Sequence, residues 1–322
     1  MIVTVTLNPA LDKTYWVDAP HLPLCIGEED RIMRAHRSLT EPGGKGINVS
    51  LLLSRLGMES VAMGFLAGHT GQIILREILA EGVTANFVWI EGETRTNAAF
   101  MLPERPAPSL KVHEAGPEVP ARAITTFLTK YRHAMRHAEY VVLAGRLPPG
   151  LPHDFYRQLV LIAAEHQVKA VLHTGGFPLQ KAITAGPYLV KPDIREREFI
   201  GDAPVSTEEE IISEGRRALE SGAEMFLVSH HITGDILVTR DGVWELDAGV
   251  NLNELRNLVG ADDALVGGLL YQLKTGAHLD AALKFGMAAA LASSEAEEKL
   301  VRSRQAIDAE MERILVRKRA AA

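Results

Sequence analysis

The sequence predicts an α/β fold in which helices flank a doubly wound, mainly parallel sheet. Three observations predict it. Short apolar, β-branched runs recur along the chain, and amphipathic stretches with three- and four-residue apolar spacing lie between them. The chain of 322 residues, 47% hydrophobic and 23% charged, has ample length for a sizeable core. Strands alternating with helices imply βαβ units, whose crossovers join parallel strands and cover both faces of the sheet.

The elements follow in order. IVTVTLN opens the chain as a strand, and GINVSLLLSRLG (46–57) is the first helix. SVAMGFLAG (60–68) is a strand and GQIILREILAEG (71–82) a helix. YVVLAG (140–145) precedes the helix HDFYRQLVLIAAEHQ (153–167). The strands KAVLHTGG (169–176), PYLVKP (187–192), EMFLVSHH (224–231) and DILVTRDGVWEL (235–246) continue the series. The tail from 281 onward reads as helical, charged and Ala-rich. Two regions break the rhythm: residues 13–40 and 88–114 are strand-like but polar and rich in turn residues. Central parallel strands are buried on both faces and exclude such polarity. These regions are therefore expected to form a small β-sheet lid projecting from a single domain that spans 1–322.

Composition narrows the function. A formal net charge of −7 without a basic block argues against a nucleic-acid partner. One cysteine, Cys25, excludes an intrachain disulfide and a cysteine-based metal cluster, which suits a reducing cytoplasm. The N-terminus has no signal-peptide pattern and no run reaches ~18 apolar residues, so no membrane partner is expected. His133 and His137, four apart on a predicted helix, read as an exposed face rather than a metal pair, because no third ligand is suggested nearby.

Two segments carry chemistry. In EPGGKGINVSLLLSRLG (41–57), Gly43, Gly44 and Gly46 permit close backbone approach to a ligand just before a helix N-terminus. Lys45 and Asn48 add a cation and an amide there. The segment is neither a Walker loop nor a dinucleotide fingerprint. In NLVGADDALVGG (257–268), small residues lead into a second helix start that carries two adjacent acids, Asp262 and Asp263. Such acids could be helix caps or catalytic groups.

TLNPALDKTYWVD (6–18), PGGKGINVSLLLSRLG, GETRTN (92–97), LAGRLPPGLP (143–152), VKPDIRE (190–196) and VGADDALVGG (259–268) occur in that order. Together they resemble the 1-phosphofructokinase and tagatose-6-phosphate kinase branch of the ribokinase-like sugar kinases, over essentially the whole chain. The resemblance implies a ribokinase-like fold with a β-lid, often paired between subunits, and so a homodimer. It implies ATP and Mg²⁺ as cofactors and a sugar phosphate as substrate. Asp12 would bind sugar hydroxyls, and Gly43, Gly44 and Asn48 would line the sugar pocket. Lys45 and Arg95, with Arg146, would hold the substrate's phosphate. Asp263 would be the general base, beside an anion hole built from Gly260, Ala261 and Asp262. Lys191, Ser229 and Gly234 would lie on the nucleotide side, and Asp193 with Glu196 would organise the metal, unless they are merely a surface turn and a solvated helix.

The departures from the family pattern cluster at the nucleotide end. Asp262 stands where a glycine is usual, His173 and Gly175 stand in a segment of Asp-Thr-Ser-Gly type, and Arg146 replaces a serine. Gln72 stands where the family commonly has Asp, and His231 where it usually has Gly. At Asp262 two costs are expected: strain if the backbone there has positive φ, and a carboxylate opposed to the incoming phosphates. The leading reading is ATP-dependent phosphorylation of fructose 1-phosphate or tagatose 6-phosphate to the bisphosphate. The alternative is a weakened or inactive paralogue that binds a sugar phosphate as a sensor or assembly partner.

Overall fold

The computed structural model describes residues 1–17, 34–101, 110–193, 207–231, 234–250 and 254–319, with the backbone alone for His230 and His231. Cys25 and Glu196 lie outside the described residues. In chain order the elements are β1 (Ile2–Thr6), β2 (Ala10–Val17), β3 (Ala35–Gly43), α1 (Lys45–Arg55), β4 (Ser60–Ala67), α2 (Gly68–Ala80), β5 (Thr84–Ala85), β6 (Val88–Ile90), β7 (Arg95–Met101) and β8 (Leu110–His113). Then come α3 (Ala121–Met135), β9 (Tyr140–Ala144), α4 (Phe155–Glu165), β10 (Lys169–His173), α5 (Gly176–Ile183), β11 (Leu189–Val190), α6 (Glu208–Glu220) and β12 (Met225–His231). β13 (Gly234–Thr239), β14 (Gly242–Ala248), α7 (Ala261–Lys274), α8 (Leu279–Glu295), α9 (Arg304–Glu310) and β15 (Ile314–Arg319) complete the described chain.

The main sheet runs β15-β14-β13-β12-β11-β10-β9-β1-β4-β5, with β6 also paired to β4. From β5 to β12 the pairings are parallel, and β12 to β15 are antiparallel. Successive side chains of a strand point to opposite faces. In β9, Tyr140, Val142 and Ala144 accordingly join the core packed on α1, α7 and α8, whereas Val141 and Leu143 join the core packed on α3 to α6. Burial on both faces explains why these strands read as continuous apolar runs.

Two sequence expectations change. DILVTRDGVWEL is not one strand but a hairpin, turning at Arg240–Asp241 between β13 and β14. The Asp-Gly pair carries that turn signal. The tail is not wholly helical: β15 pairs antiparallel with β14 as the sheet's last strand. Its exposed Arg317, Lys318 and Arg319 are the kind of charge that blunts an edge against further pairing.

A second, four-stranded sheet has the order β3-β2-β7-β8 and draws on both polar regions. β1 lies between β4 and β9, so successive connections leave it in opposite directions. In open α/β sheets such a reversal opens a crevice at the carboxyl ends of the strands. The candidate site lies there.

Candidate active site

The sugar-side residues are set by strand register. β2 pairs antiparallel with β3 and parallel with β7, which places Asp12 between Glu41 and Asn97. Asn97 Nδ2 donates to Asp12 Oδ1 at 2.8 Å, and Lys299 Nζ lies 2.9 Å from Asp12 Oδ2. Lys299 Nζ also donates to the Pro42 carbonyl at 2.6 Å, tying β2 and β3 to the segment after α8. Burial alone would depress the Lys299 ammonium, but the charges of Asp12 and Glu41 override it and hold its pKa above the usual lysine value. Gly43 leaves room for this carboxylate, since a Cβ there would lie 2.2 Å from Asp12 Oδ2. Gly44, at φ +117°, caps α1 where a Cβ would meet Thr6 Cγ2 at 2.5 Å.

From α1, the buried Asn48 donates through Nδ2 to Asp263 Oδ2 at 2.7 Å. An ionised carboxylate only accepts, so this contact fixes which end of the amide faces it. Asn48 Oδ1 and Asn97 Oδ1 are thereby left as buried amide oxygens without a hydrogen-bond partner, and both residues line one cavity. Buried acceptors of this kind require donors.

Asp263 occupies the first turn of α7 but does not cap it. The cap position is Gly260, at φ +88°, with no side-chain cap bond. The Asp263 carboxylate instead turns inward, to Asn48 and to His173 Nε2, 2.9 Å from Oδ1. Burial would push its pKa up, yet the Lys45 ammonium, His173 and the Asn48 bond outweigh that and hold it below the ordinary aspartate value. The first N–H groups of α7 have no intrahelical acceptor, as at any helix start, and offer positive partial charge beside this carboxylate.

Asp262 corrects one expectation. Positive φ falls on Gly260 and not on Asp262, which is helical, so the carboxylate carries no backbone strain. It is also not an uncompensated charge. Lys191 Nζ, fully buried, lies 3.2 Å from Asp262 Oδ1, 2.7 Å from Ser229 Oγ and 3.5 Å from Asp235 Oδ1. Ser229 Oγ reaches both Asp235 and Asp262, at 2.8 and 3.1 Å. Desolvation, despite Lys191, raises the Asp235 pKa. Gly234 opens β13 one residue before Asp235, opposite His231. Lys191, Ser229 and Asp262 are therefore in mutual contact, and Gly234 adjoins them through Asp235.

The expected phosphate-binding cations are distributed around the cavity. Lys45 Nζ pairs with Asp193 Oδ2 at 2.9 Å. Arg95 donates from Nε and Nη2 to the Asn8 carbonyl and from Nη1 to that of Glu114. Arg146 follows β9. The cavity of about 390 Å³ contains Asp12, Lys45, Arg95, Arg146, Asp193 and Asp263 in its wall. Beyond the Lys45–Asp193 pair lies a second space of about 270 Å³ that shares Arg146 and reaches His153 and Phe177. Asp193 is buried and offers hard carboxylate oxygen, the donor type that suits Mg²⁺ alongside water and phosphate oxygen.

Sequence reading missed Lys299 and Asn97 as partners of Asp12, and Asp235 beside Lys191. Lys299 lies in the charged stretch EAEEK, where a solvated helix is the ordinary reading. Asn97 was legible only through the register of β2 on β7.

The sequence profile of pfkB family carbohydrate kinases matches residues 6–298. The 1-phosphofructokinase of Bacillus subtilis is 32% identical over 298 residues, which cover 92% of this chain and 94% of that protein. The D-tagatose-1-phosphate kinase of Bacillus licheniformis is 32% identical over 290 residues, 90% of this chain and 91% of that one. Among solved structures, a Thermotoga maritima protein described as a possible 1-phosphofructokinase superposes with a TM-score of 0.87. It is 32% identical and 99% of each chain is covered.

Proposed function

Because the chain belongs to the pfkB family of carbohydrate kinases, we propose that it transfers the γ-phosphoryl group of ATP to the free primary hydroxyl of a ketohexose phosphate, forming the bisphosphate. Fructose 1-phosphate is the first candidate. Two similar proteins carry ketohexose 1-phosphates in their names, which adds tagatose 1-phosphate ahead of tagatose 6-phosphate. The observation that carries the reading is the pair of buried, unsatisfied amide oxygens on Asn48 and Asn97. Both residues line the same cavity as Asp263, and their oxygens lack the donors that sugar hydroxyls provide.

In this reading Asp263 is ionised at neutral pH and accepts the hydroxyl proton. The N–H groups at residues 260–263 stabilise the transferring phosphoryl group. Asp12, held by Lys299 and Asn97, orients the sugar, while Lys45, Arg95 and Arg146 hold its phosphate. Asp193, with Glu196, would hold Mg²⁺, which when bound neutralises phosphate charge. The four-stranded sheet serves as a lid on a single domain, and Leu110 and Val112 on β8, both about half exposed, suit pairing of two lids in a cytoplasmic dimer.

The test is ADP release with fructose 1-phosphate, both tagatose phosphates and free sugars. Turnover should need the phosphorylated ketose and fall at least ~10²-fold in Asp263→Asn. No turnover, with thermal stabilisation by the sugar phosphate and none by ATP·Mg²⁺, would sink the kinase reading. It would favour the second one, a sugar-phosphate sensor with a weakened phosphoryl site. The contact of Asp262 on Lys191 motivates that alternative, because it engages the ammonium with an internal anion.

A further inference from the structure

His173 ends β10, fully buried, and both of its ring nitrogens face oxygen acceptors. Nδ1 lies 3.0 Å from the Lys191 carbonyl. A carbonyl oxygen cannot donate, so Nδ1 carries a hydrogen. Nε2 lies 2.9 Å from Asp263 Oδ1. A neutral ring with its hydrogen on Nδ1 would aim a bare lone pair at a carboxylate across that distance, so a proton must lie between the two residues. It belongs either to the ring, as imidazolium against carboxylate, or to the acid.

The surroundings choose between these. Asp263 Oδ2 accepts from Asn48 of α1, which an ionised oxygen does best. The Lys45 ammonium of α1, itself paired with Asp193, and the Lys299 ammonium after α8 also act on this carboxylate. The Lys191 ammonium is turned to Asp262 and Asp235, so these three charges engage one another rather than Asp263. The positive field at Asp263 keeps the proton off the acid.

We propose that His173 is the positioning residue of Asp263, standing as an imidazolium that clamps Oδ1 and leaves the Oδ2 edge toward the cavity as the proton acceptor. This deepens the kinase reading and rests on Asp263 being its base. The Nδ1–H bond to the Lys191 carbonyl fixes the ring plane, so the strand end after β11, the imidazolium and the carboxylate form one rigid line. A neutral ring with its hydrogen on Nδ1 would set a bare Nε2 lone pair against the acid and turn it out of register.

The test has an arm that needs no turnover. Long-range ¹H–¹⁵N spectra of histidine-labelled protein locate the protons on each ring, and His173→Gln identifies the resonance by its loss. At pH 7 both His173 ring nitrogens should carry a hydrogen, as their two oxygen partners require, and in Asp263→Asn one of them should be bare. A bare Nε2 at pH 7 in the wild-type protein overturns the proposal. In turnover, His173→Gln, which keeps a donor toward Oδ1, should hold kcat within about threefold. His173→Leu should lose at least ~10-fold in kcat with the sugar-phosphate KM changed by less than about threefold. An unchanged kcat in His173→Leu also overturns it. If no sugar phosphate is turned over, the kinase reading fails while the spectra still decide the protonation of the dyad.

Discussion

Replacing Lys299 by Met removes the buried cation that joins the four-stranded sheet to the segment after α8. Its ammonium reaches Asp12 Oδ2 at 2.9 Å and the Pro42 carbonyl at 2.6 Å, from a side chain only 5% exposed. Breaking a fully buried pair by deleting one partner costs ~3–5 kcal/mol. Asp12 is 22% exposed and keeps the Asn97 bond, so a cost just below that range, ~2–3 kcal/mol, is expected here. Urea unfolding should show a midpoint lowered by about 1 M, since slopes for small proteins are ~1–3 kcal/mol per molar and rise with size. Lys299→Met/Asp12→Asn should recover roughly half of the loss, because the Asp12 charge no longer stands without its cation while Glu41 still does. The pH dependence follows from the raised pKa of Lys299. Its folded value lies above its unfolded one, so its contribution is full below the unfolded value near ~10.4 and is lost as pH rises through the folded value. A midpoint within error of wild type, or strictly additive single changes, would refute the clamp.

Three further outcomes test other parts of the site. Asp262→Asn removes one of the anions on Lys191, so the KM for ATP should fall at least about 10-fold, the low end for one charge-assisted contact; an unchanged or higher KM would show that Asp262 does not compete with the phosphates. Gly260→Ala places a Cβ 2.7 Å from the Lys299 carbonyl at φ +88° and should cost at least ~2 kcal/mol by denaturant melt, whereas Gly57→Ala, with positive φ but open space, should cost only ~1 kcal/mol. Glu93 accepts from the N–H groups of His69 and Thr70 at the start of α2, and these bonds push its pKa down from 4.5 to about 2. Its contribution is present above the unfolded value and lost as pH falls through the folded one, so Glu93→Gln should flatten the decline in unfolding midpoint between those two values.

The sequence by itself determined the layers and named many residues of the candidate site. Alternating apolar runs and amphipathic segments mark strands that must be buried on both faces, as β1 and β9 are. Polarity in the regions 13–40 and 88–114 could not be buried in that sheet, and parts of both pair in a sheet of their own. Gly43, Gly44, Asn48 and Asp263 were legible because glycines before a helix and an acid at a helix start are local features. What lay beyond reach depends on contacts between segments far apart in the chain. Asp262 and Asp263 are adjacent and chemically alike, and in sequence nothing local separates their fates. Helical geometry turns neighbouring side chains about 100° apart, so one carboxylate meets Lys191 and the other meets Asn48 and His173. The charge on Asp262 looked destructive because its counterion lies 71 residues away. Nothing in the sequence singled out Lys299, because the strands that desolvate it come from the opposite end of the chain. Local pattern fixed which groups were present; only tertiary packing decided which of them meet across a hydrogen bond and which offset each other's charge.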